Sequence, residues 1–95
     1  MTTLAKRPHP PLDLHGAFLR RTDLTEANLV RANLSGTDLT NATLRGADLR
    51  DAVLKGTILK GADLREVKNL TARQLREAVI DDATLLPENV ATVPN

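Results

Sequence analysis

The sequence predicts a repeat fold in which the chain winds as a coil around a shared core. Leucine returns every five residues, eleven times without a break. A spacing of five scatters side chains around an α-helix and alternates them between the two sides of a β-strand. It suits a backbone that turns a corner every five residues, because each leucine then points inward. These leucines are Leu14, Leu19, Leu24, Leu29, Leu34, Leu39, Leu44, Leu49, Leu54, Leu59 and Leu64.

The residues around each leucine complete a five-residue unit. Two positions before the leucine stands alanine or threonine, except in the first repeat, where Leu12 occupies that place. Asp or Asn usually lies between them, since these residues tolerate turn dihedrals and bond to nearby backbone amides. Glycine follows at corners such as Gly36 and Gly56, because a tight corner favours positive φ. We expect the small residue and the leucine to face the core and the other positions to face water.

The motif A-[DN]-L-x-x, present here as EANLV, RANLS and GADLR, closely resembles that of the pentapeptide-repeat proteins. The resemblance covers residues 12–66, more than half of the chain. It implies an all-β fold, a right-handed quadrilateral β-helix in which four repeats make one coil. The repeats present would then form about three coils, stacked at the ~4.8 Å spacing of paired strands.

The segment before the repeats lacks their periodicity. Residues 1–11 hold three of the five prolines, which predicts a flexible or extended N-terminal arm. The first coil has no helix before it, so Leu12, Leu14 and Phe18 form a candidate end contact. A second copy of the chain could cover this end and give a homodimer.

Residues 67–95 are predicted to cap the C-terminal coil. Thr71 and Gln74 have capping-box spacing, and Leu75, Ala78 and Val79 share one helical face. These positions predict a short helix over about residues 72–79. A degenerate repeat at residues 83–87 follows, with Ala83 and Leu85 in the two inward places, and then a tail.

Composition and charge exclude several classes of protein. Cysteine is absent, which excludes disulfides and thiolate metal sites, and the lack of a long apolar run argues against a membrane segment. We therefore expect a cytoplasmic protein. Residues 12–66 hold eight basic and eight acidic side chains, which argues against nucleic-acid binding. The basic residues that follow successive leucines should form a belt around one coil instead of a patch: Arg45, Arg50, Lys55, Lys60 and Arg65.

Catalysis is not expected. His15, Ser35 and Lys55 would stack in one column beside Asp13, which suggests a nucleophile and its base. A solvated surface is the better interpretation, because Ser35 is the only serine and a convex coil lacks a pocket. The two histidines, His9 and His15, lack the neighbours that a metal site needs. We expect no cofactor, no metal and no small-molecule substrate.

Outward apolar residues are the more informative feature. Val53 and Ile58 stand where Asp or Asn is usual, and Phe18 occupies the same place below Ile58, while Val30 is a further outward apolar residue. They either pack under the cap or form a protein contact. The sequence therefore favours a non-enzymatic protein-interaction scaffold whose partner is unknown. The alternative is a DNA-mimic inhibitor or protector of DNA gyrase, an activity that the resemblance brings with it, although this requires a strongly acidic rod.

Overall fold

The computed structural model describes residues 11–90, so the predictions for the N-terminal arm and the tail lie almost wholly outside the described residues. Within that range the backbone pairs through single parallel β-bridges and forms no longer strand. Eight of the bridges join residues that are twenty positions apart. Because twenty residues hold four five-residue repeats, each repeat lies directly above the one four repeats earlier.

We number the four rows of bridged residues as faces of the coil, in chain order, with the N-terminal coil lowest. Two late bridges, Ile58 with Val79 and Asp63 with Leu85, extend the second and third rows. Face 1 is Asp13, Asn33 and Val53; face 2 is Phe18, Asp38, Ile58 and Val79; face 3 is Asp23, Thr43, Asp63 and Leu85; face 4 is Asn28, Asp48 and Lys68.

Backbone hydrogen bonds hold each coil to the next. On face 2, the Asp38 N–H donates to Ala17 O in the coil below at 2.9 Å, and the Leu39 N–H donates to Ile58 O in the coil above at 2.8 Å. Another bond closes each corner, as where the Ala42 N–H donates to Leu39 O at 3.0 Å. The same pairing recurs on the other faces, so an inner coil is bonded on both sides.

The interior is a stack of leucines and small residues. The eight repeat leucines from Leu29 to Leu64 are each at most 1% exposed, whereas Leu14, Leu19 and Leu24 in the first coil are only partly buried. Threonine at the small position keeps its hydroxyl satisfied, since Thr57 Oγ1 donates to Leu34 O at 2.6 Å. Stacked leucines therefore exclude water from the axis of the coil.

Each corner of the eleven regular repeats has a left-handed backbone. The last residue of each repeat, from Gly16 to Glu66, has φ between 56° and 72°. Glycine accepts this conformation freely, but Arg31, at φ 60°, occupies it at a cost of roughly 1–2 kcal/mol. The coil therefore imposes the corner even where the residue does not favour it.

Helix α1 spans Ala72–Glu77, with Thr71 as its N-cap. The capping box is present, because Thr71 Oγ1 accepts from the Gln74 N–H at 3.1 Å and Gln74 Oε1 accepts from the Thr71 N–H at 2.8 Å. The helix ends two residues before the predicted boundary, so the assignment of Val79 to its buried face is wrong. Val79 instead bridges Ile58, its N–H donates to Thr57 O at 2.8 Å, and its side chain is 41% exposed.

Helix α1 stands where the next repeat of face 1 would lie. The Gln74 Nε2 donates to Leu49 O at 2.8 Å and to Ala52 O at 3.0 Å, while Leu75 is buried. Ala52 O is the carbonyl that a further coil would have paired, since Ala32 O accepts from the Val53 N–H one coil below. The Gln74 side chain therefore donates the hydrogen bond to Ala52 O that the backbone of a further coil would have donated.

The chain after the helix returns to the repeat pattern one place away from the predicted register. Thr84 is 9% exposed and Leu86 packs against the core, whereas Leu85 is 44% exposed and Ala83 is also exposed. The predicted inward places of Ala83 and Leu85 are therefore wrong. The cause is the turn at Asp81, whose Oδ1 accepts from the N–H groups of Gly61 and Ala83, each at 3.0 Å. A short 3-10 helix, Glu88–Val90, ends the described chain.

Two corner substitutions should change stability in opposite directions. Gly36→Ala has room for its Cβ, with the nearest atom 3.9 Å away, so its expected loss of about 1 kcal/mol comes from the positive φ alone. Arg31→Gly should gain about 0.5 kcal/mol, because relief of the corner outweighs the added freedom of the unfolded chain. Urea unfolding measures both values, and a loss in Arg31→Gly together with no loss in Gly36→Ala would show that the corners are unstrained.

Candidate functional site: the outward faces

The Asp and Asn residues of the faces mainly support the backbone. Their side chains accept hydrogen bonds from the N–H two residues later, as Asn28 does from Val30 at 3.1 Å and Asp48 from Arg50 at 3.1 Å. The apolar side chains of Phe18, Val53 and Ile58 cannot provide this bond. Those three repeats therefore present apolar surface in place of a local stabilising contact. The residues that accept this bond are Asp13, Asp23, Asn28, Asn33, Asp38, Asp48 and Asp63.

The predicted contact residues lie on different faces. Phe18 and Ile58 share face 2, where Phe18 is 87% exposed and Ile58 is half-buried. Val53 lies on face 1 and is 44% exposed, and the half-buried Val30 lies near the corner between faces 4 and 1. The geometry thus places two of the four on one face, two coils apart. Val79, which the sequence placed in the helix, joins them as the top residue of face 2.

The predicted end contact is also divided. Leu12 and Leu14 are half-buried and pack against the core at the first coil, whereas Phe18 occupies the outward position of its repeat. Phe18 is accordingly part of a side face, and the two leucines belong to the end of the coil.

Asp38, between Phe18 and Ile58 on face 2, is the most enclosed carboxylate of the faces. Its side chain is 8% exposed and accepts from Thr40 Oγ1 at 2.6 Å, from the Thr40 N–H at 3.1 Å and from Arg20 Nε at 2.7 Å. The hydrogen bonds from the Thr40 hydroxyl and from Arg20 lower the pKa of Asp38 to about 2. Face 2 therefore keeps a fixed negative charge that Arg20 neutralises.

The column that suggested a nucleophile is not assembled as one. His15 Nδ1 lies 2.7 Å from Asp13 Oδ1, and this contact raises the pKa of His15. The Ser35 hydroxyl donates to Asn33 Oδ1 in its own repeat. Within residues 11–90 no hydrogen bond joins His15 to Ser35, so the pairing of a base with a nucleophile is not formed.

The predicted basic belt carries its own counter-charges. Arg65 Nη2 lies 2.8 Å from Asp63 Oδ2, and Arg45 Nη2 lies 3.2 Å from Glu66 Oε1. Arg65 is also the chief cause of the lowered pKa of Asp63. These pairs reduce the positive potential that a phosphate backbone would meet.

A cleft of about 520 Å³ lies beside helix α1, lined by Arg50, Asp51, Asn69, Arg73 and Gln74 among others. Its Gln74 amide is already used by the backbone of the coil. Among residues 11–90, no three His, Asp or Glu side chains cluster as a metal site would require. The described helices are also too short to cross a membrane.

Comparison with known proteins confirms the resemblance seen in the motif. A family model described as pentapeptide repeats matches residues 12–41 and 32–68, in eight copies. No curated protein matches the chain. The chain is similar to the crystal structure of Rfr23, a pentapeptide repeat protein of the cyanobacterium Cyanothece 51142, with 31% identity and a TM-score of 0.71. That match covers 81% of this chain and 52% of Rfr23, so the chain spans about half the length of Rfr23.

Two other solved structures share the repeat with lower superposition scores. A pentapeptide repeat protein from Nostoc PCC 7120 is 33% identical, covers 81% of this chain and 67% of its own, and has a TM-score of 0.40. One from the thylakoid lumen of Arabidopsis thaliana is 29% identical, covers 80% of this chain and 55% of its own, and has a TM-score of 0.37. The structural comparison therefore rests on Rfr23.

Asp38→Asn should flatten the acid side of the stability profile. The pKa of Asp38 is about 2 in the fold against an ordinary value of 3.8, so ionised Asp38 stabilises the fold above about pH 4, and this contribution is lost as the pH falls towards 2. Asparagine can still accept from the Thr40 N–H, as Asn33 does from Ser35, but it does not titrate. Urea unfolding at several pH values should show that the free energy of unfolding falls less steeply in the variant than in wild type as the pH drops from 4 to 2. The exposed Asp51→Asn is the control, and equal slopes in all three proteins would contradict this role.

Proposed function

Because the chain belongs to the pentapeptide-repeat family, we propose that it is a non-enzymatic scaffold that binds other proteins through a rigid β-helical surface. The proposed architecture is a right-handed, four-sided coil of about three turns, with helix α1 closing the C-terminal end. Fixed surfaces of this kind lose little conformational freedom on binding, which favours association.

The observation that carries the proposal is the apolar surface at positions where other repeats have Asp or Asn. Phe18 is 87% exposed and Val53 is 44% exposed, although an acidic or amide residue at either place would add a backbone hydrogen bond. Replacing a stabilising polar residue by an exposed apolar one lowers solubility and local stability. Burial of these residues in a protein contact would offset that loss of solubility and stability.

The surface charge favours a protein partner over the gyrase alternative. Mimicry of duplex DNA needs a continuous acidic surface, whereas Arg65 and Arg45 neutralise Asp63 and Glu66 here. Face 4 likewise mixes Asp48 with Lys68. A supercoiling assay with purified gyrase provides a direct check, and inhibition or protection by this protein would replace the scaffold with the gyrase function.

A charge variant of two apolar positions tests the scaffold. Val53→Asp combined with Ile58→Lys should remove partner binding and keep the fold, because the new side chains lie above Asn33 and Asp38, which suit them. Affinity capture from a native lysate, followed by binding of the purified partner, measures the loss.

The matched control is Thr43→Asp with Lys68→Asn, at the same position of the repeat on faces 3 and 4. Circular dichroism establishes that each variant is folded. A partner that binds wild type, variant and control equally would refute the use of these apolar residues.

A further inference from the structure

Face 2 has apolar side chains at both ends of its row, which no other row within residues 11–90 has. Phe18 at the bottom is 87% exposed and Val79 at the top is 41% exposed. Between them, Ile58 is half-buried and Asp38 is 6% exposed with its charge held by Arg20. This row therefore presents little free charge along its centre.

One margin of face 2 contains a row of glycines. At its corner with face 1, the second position holds Gly16, Gly36 and Gly56, stacked through the backbone, where the Gly16 N–H donates to Ser35 O at 2.8 Å. The position before it holds His15, Ser35 and Lys55. A Cβ on Gly16 would meet no atom within 4 Å, and one on Gly36 would meet only the backbone of Gly16. The glycines add no side chains to this margin, so a flat partner meets only those of His15, Ser35 and Lys55 at the corner.

The other margin is polarised along the coil. Its corner with face 3 starts with Arg20 and Arg21 in the lowest coil, continues through Thr40 and Asn41 and then Lys60 and Gly61, and ends with Asp81 and Asp82 in the highest. Hydrogen bonds confirm the stacking, because the Arg21 N–H donates to Thr40 O at 2.9 Å and the Gly61 N–H to Asp81 Oδ1 at 3.0 Å. The two ends of the margin thus carry opposite charges, and the positive charge of Lys60 lies one level below Asp81 and Asp82.

We propose that face 2 binds face 2 of a second copy of this chain, with the two coils antiparallel. A two-fold axis across the face brings Phe18 against Val79 of the partner copy and Arg21 opposite Asp82 of the partner copy, each contact occurring twice. A parallel pair would instead place Phe18 of one copy beside Phe18 of the other. Arg21 would then not lie opposite Asp82 of the partner copy. This inference rests on the proposed scaffold function and identifies one partner for it.

The contact is small, which determines how it should behave. Four levels at the ~4.8 Å spacing give a face about 20 Å high, and five residues at ~3.3 Å each make it at most about 17 Å wide. Its area is then about 340 Å², less than half of the ~800 Å² per partner of a stable interface. The pair should therefore form at high protein concentration and weaken as salt screens Arg21 and Asp82.

Single cysteines test both the surface and the orientation, because the chain has no cysteine of its own. The purified Phe18→Cys and Val79→Cys proteins are mixed and oxidised, and cross-linked dimers between the two variants are counted by mass spectrometry. Antiparallel pairing predicts that this mixed dimer exceeds either self-dimer by about fivefold or more. The control mixes Phe18→Cys with Val53→Cys, whose residue is similarly exposed at 44% but lies on face 1.

Reversing the charges of Arg21 and Asp82 tests which levels of the two copies face each other. Arg21→Glu in the cysteine proteins should lower the mixed cross-link about fivefold, Asp82→Arg should do the same, and the two together should restore it. Arg31→Glu is the matched control, since Arg31 has the same corner conformation, φ 60° against 59° for Arg21, between faces 4 and 1.

Several results would overturn the antiparallel pair. Preferred self-dimers of Phe18→Cys would show a parallel or end-on contact that includes the first coil, and cross-linking equal to the Val53 control would show random collision. Binding of a different protein by the scaffold is measured separately by affinity capture, so loss of one activity does not affect the test of the other.

Discussion

A left-handed residue at every fifth position is the constraint on which this structure depends. From Gly16 to Glu66 each corner holds φ between 56° and 72°, although the residues range from glycine to arginine. Each corner sets the direction of the next leucine, so one relaxed corner would displace every repeat after it. The hydrogen bonds to the coils above and below keep the corners closed, because opening one leaves buried backbone groups unpaired.

The five-residue period predicted a chain that turns regularly around a leucine core, whereas the four-sided form came from the resemblance to pentapeptide-repeat proteins. The side-chain bonds of Asp48 and Asn28 to the backbone were also predictable, since each lies within its own repeat. Corners occupied by Arg31 or Glu26 were not, because their local preference opposes a positive φ that the stacked coils impose. The end of helix α1 was also missed, since local helical periodicity at residues 78–79 competes with a longer-range β pairing.

The candidate surface was only partly visible in the sequence. Phe18 and Ile58 could be placed on one row by counting, but Val79 could not, because the helix adds one residue to the spacing. The signal was present as two triplets of a small residue, any residue and an apolar one, at Ala78 to Ile80 and Thr84 to Leu86. The Arg20 contact with Asp38 was harder to find, since these residues are eighteen positions apart and meet only after the chain has coiled.

The division of the surface into four faces makes the chain sensitive to the length of an insertion or deletion. Removing twenty residues from the middle would shorten the coil and leave every remaining side chain on its own face, because the bridges join residues twenty apart. Removing five would turn everything beyond the cut by a quarter of a turn while keeping the leucine core intact. Phe18 and Val79 would then lie on different sides of a well-folded molecule. A family built on this coil can thus change length by whole coils without disturbing a side surface, whereas single repeats redistribute that surface.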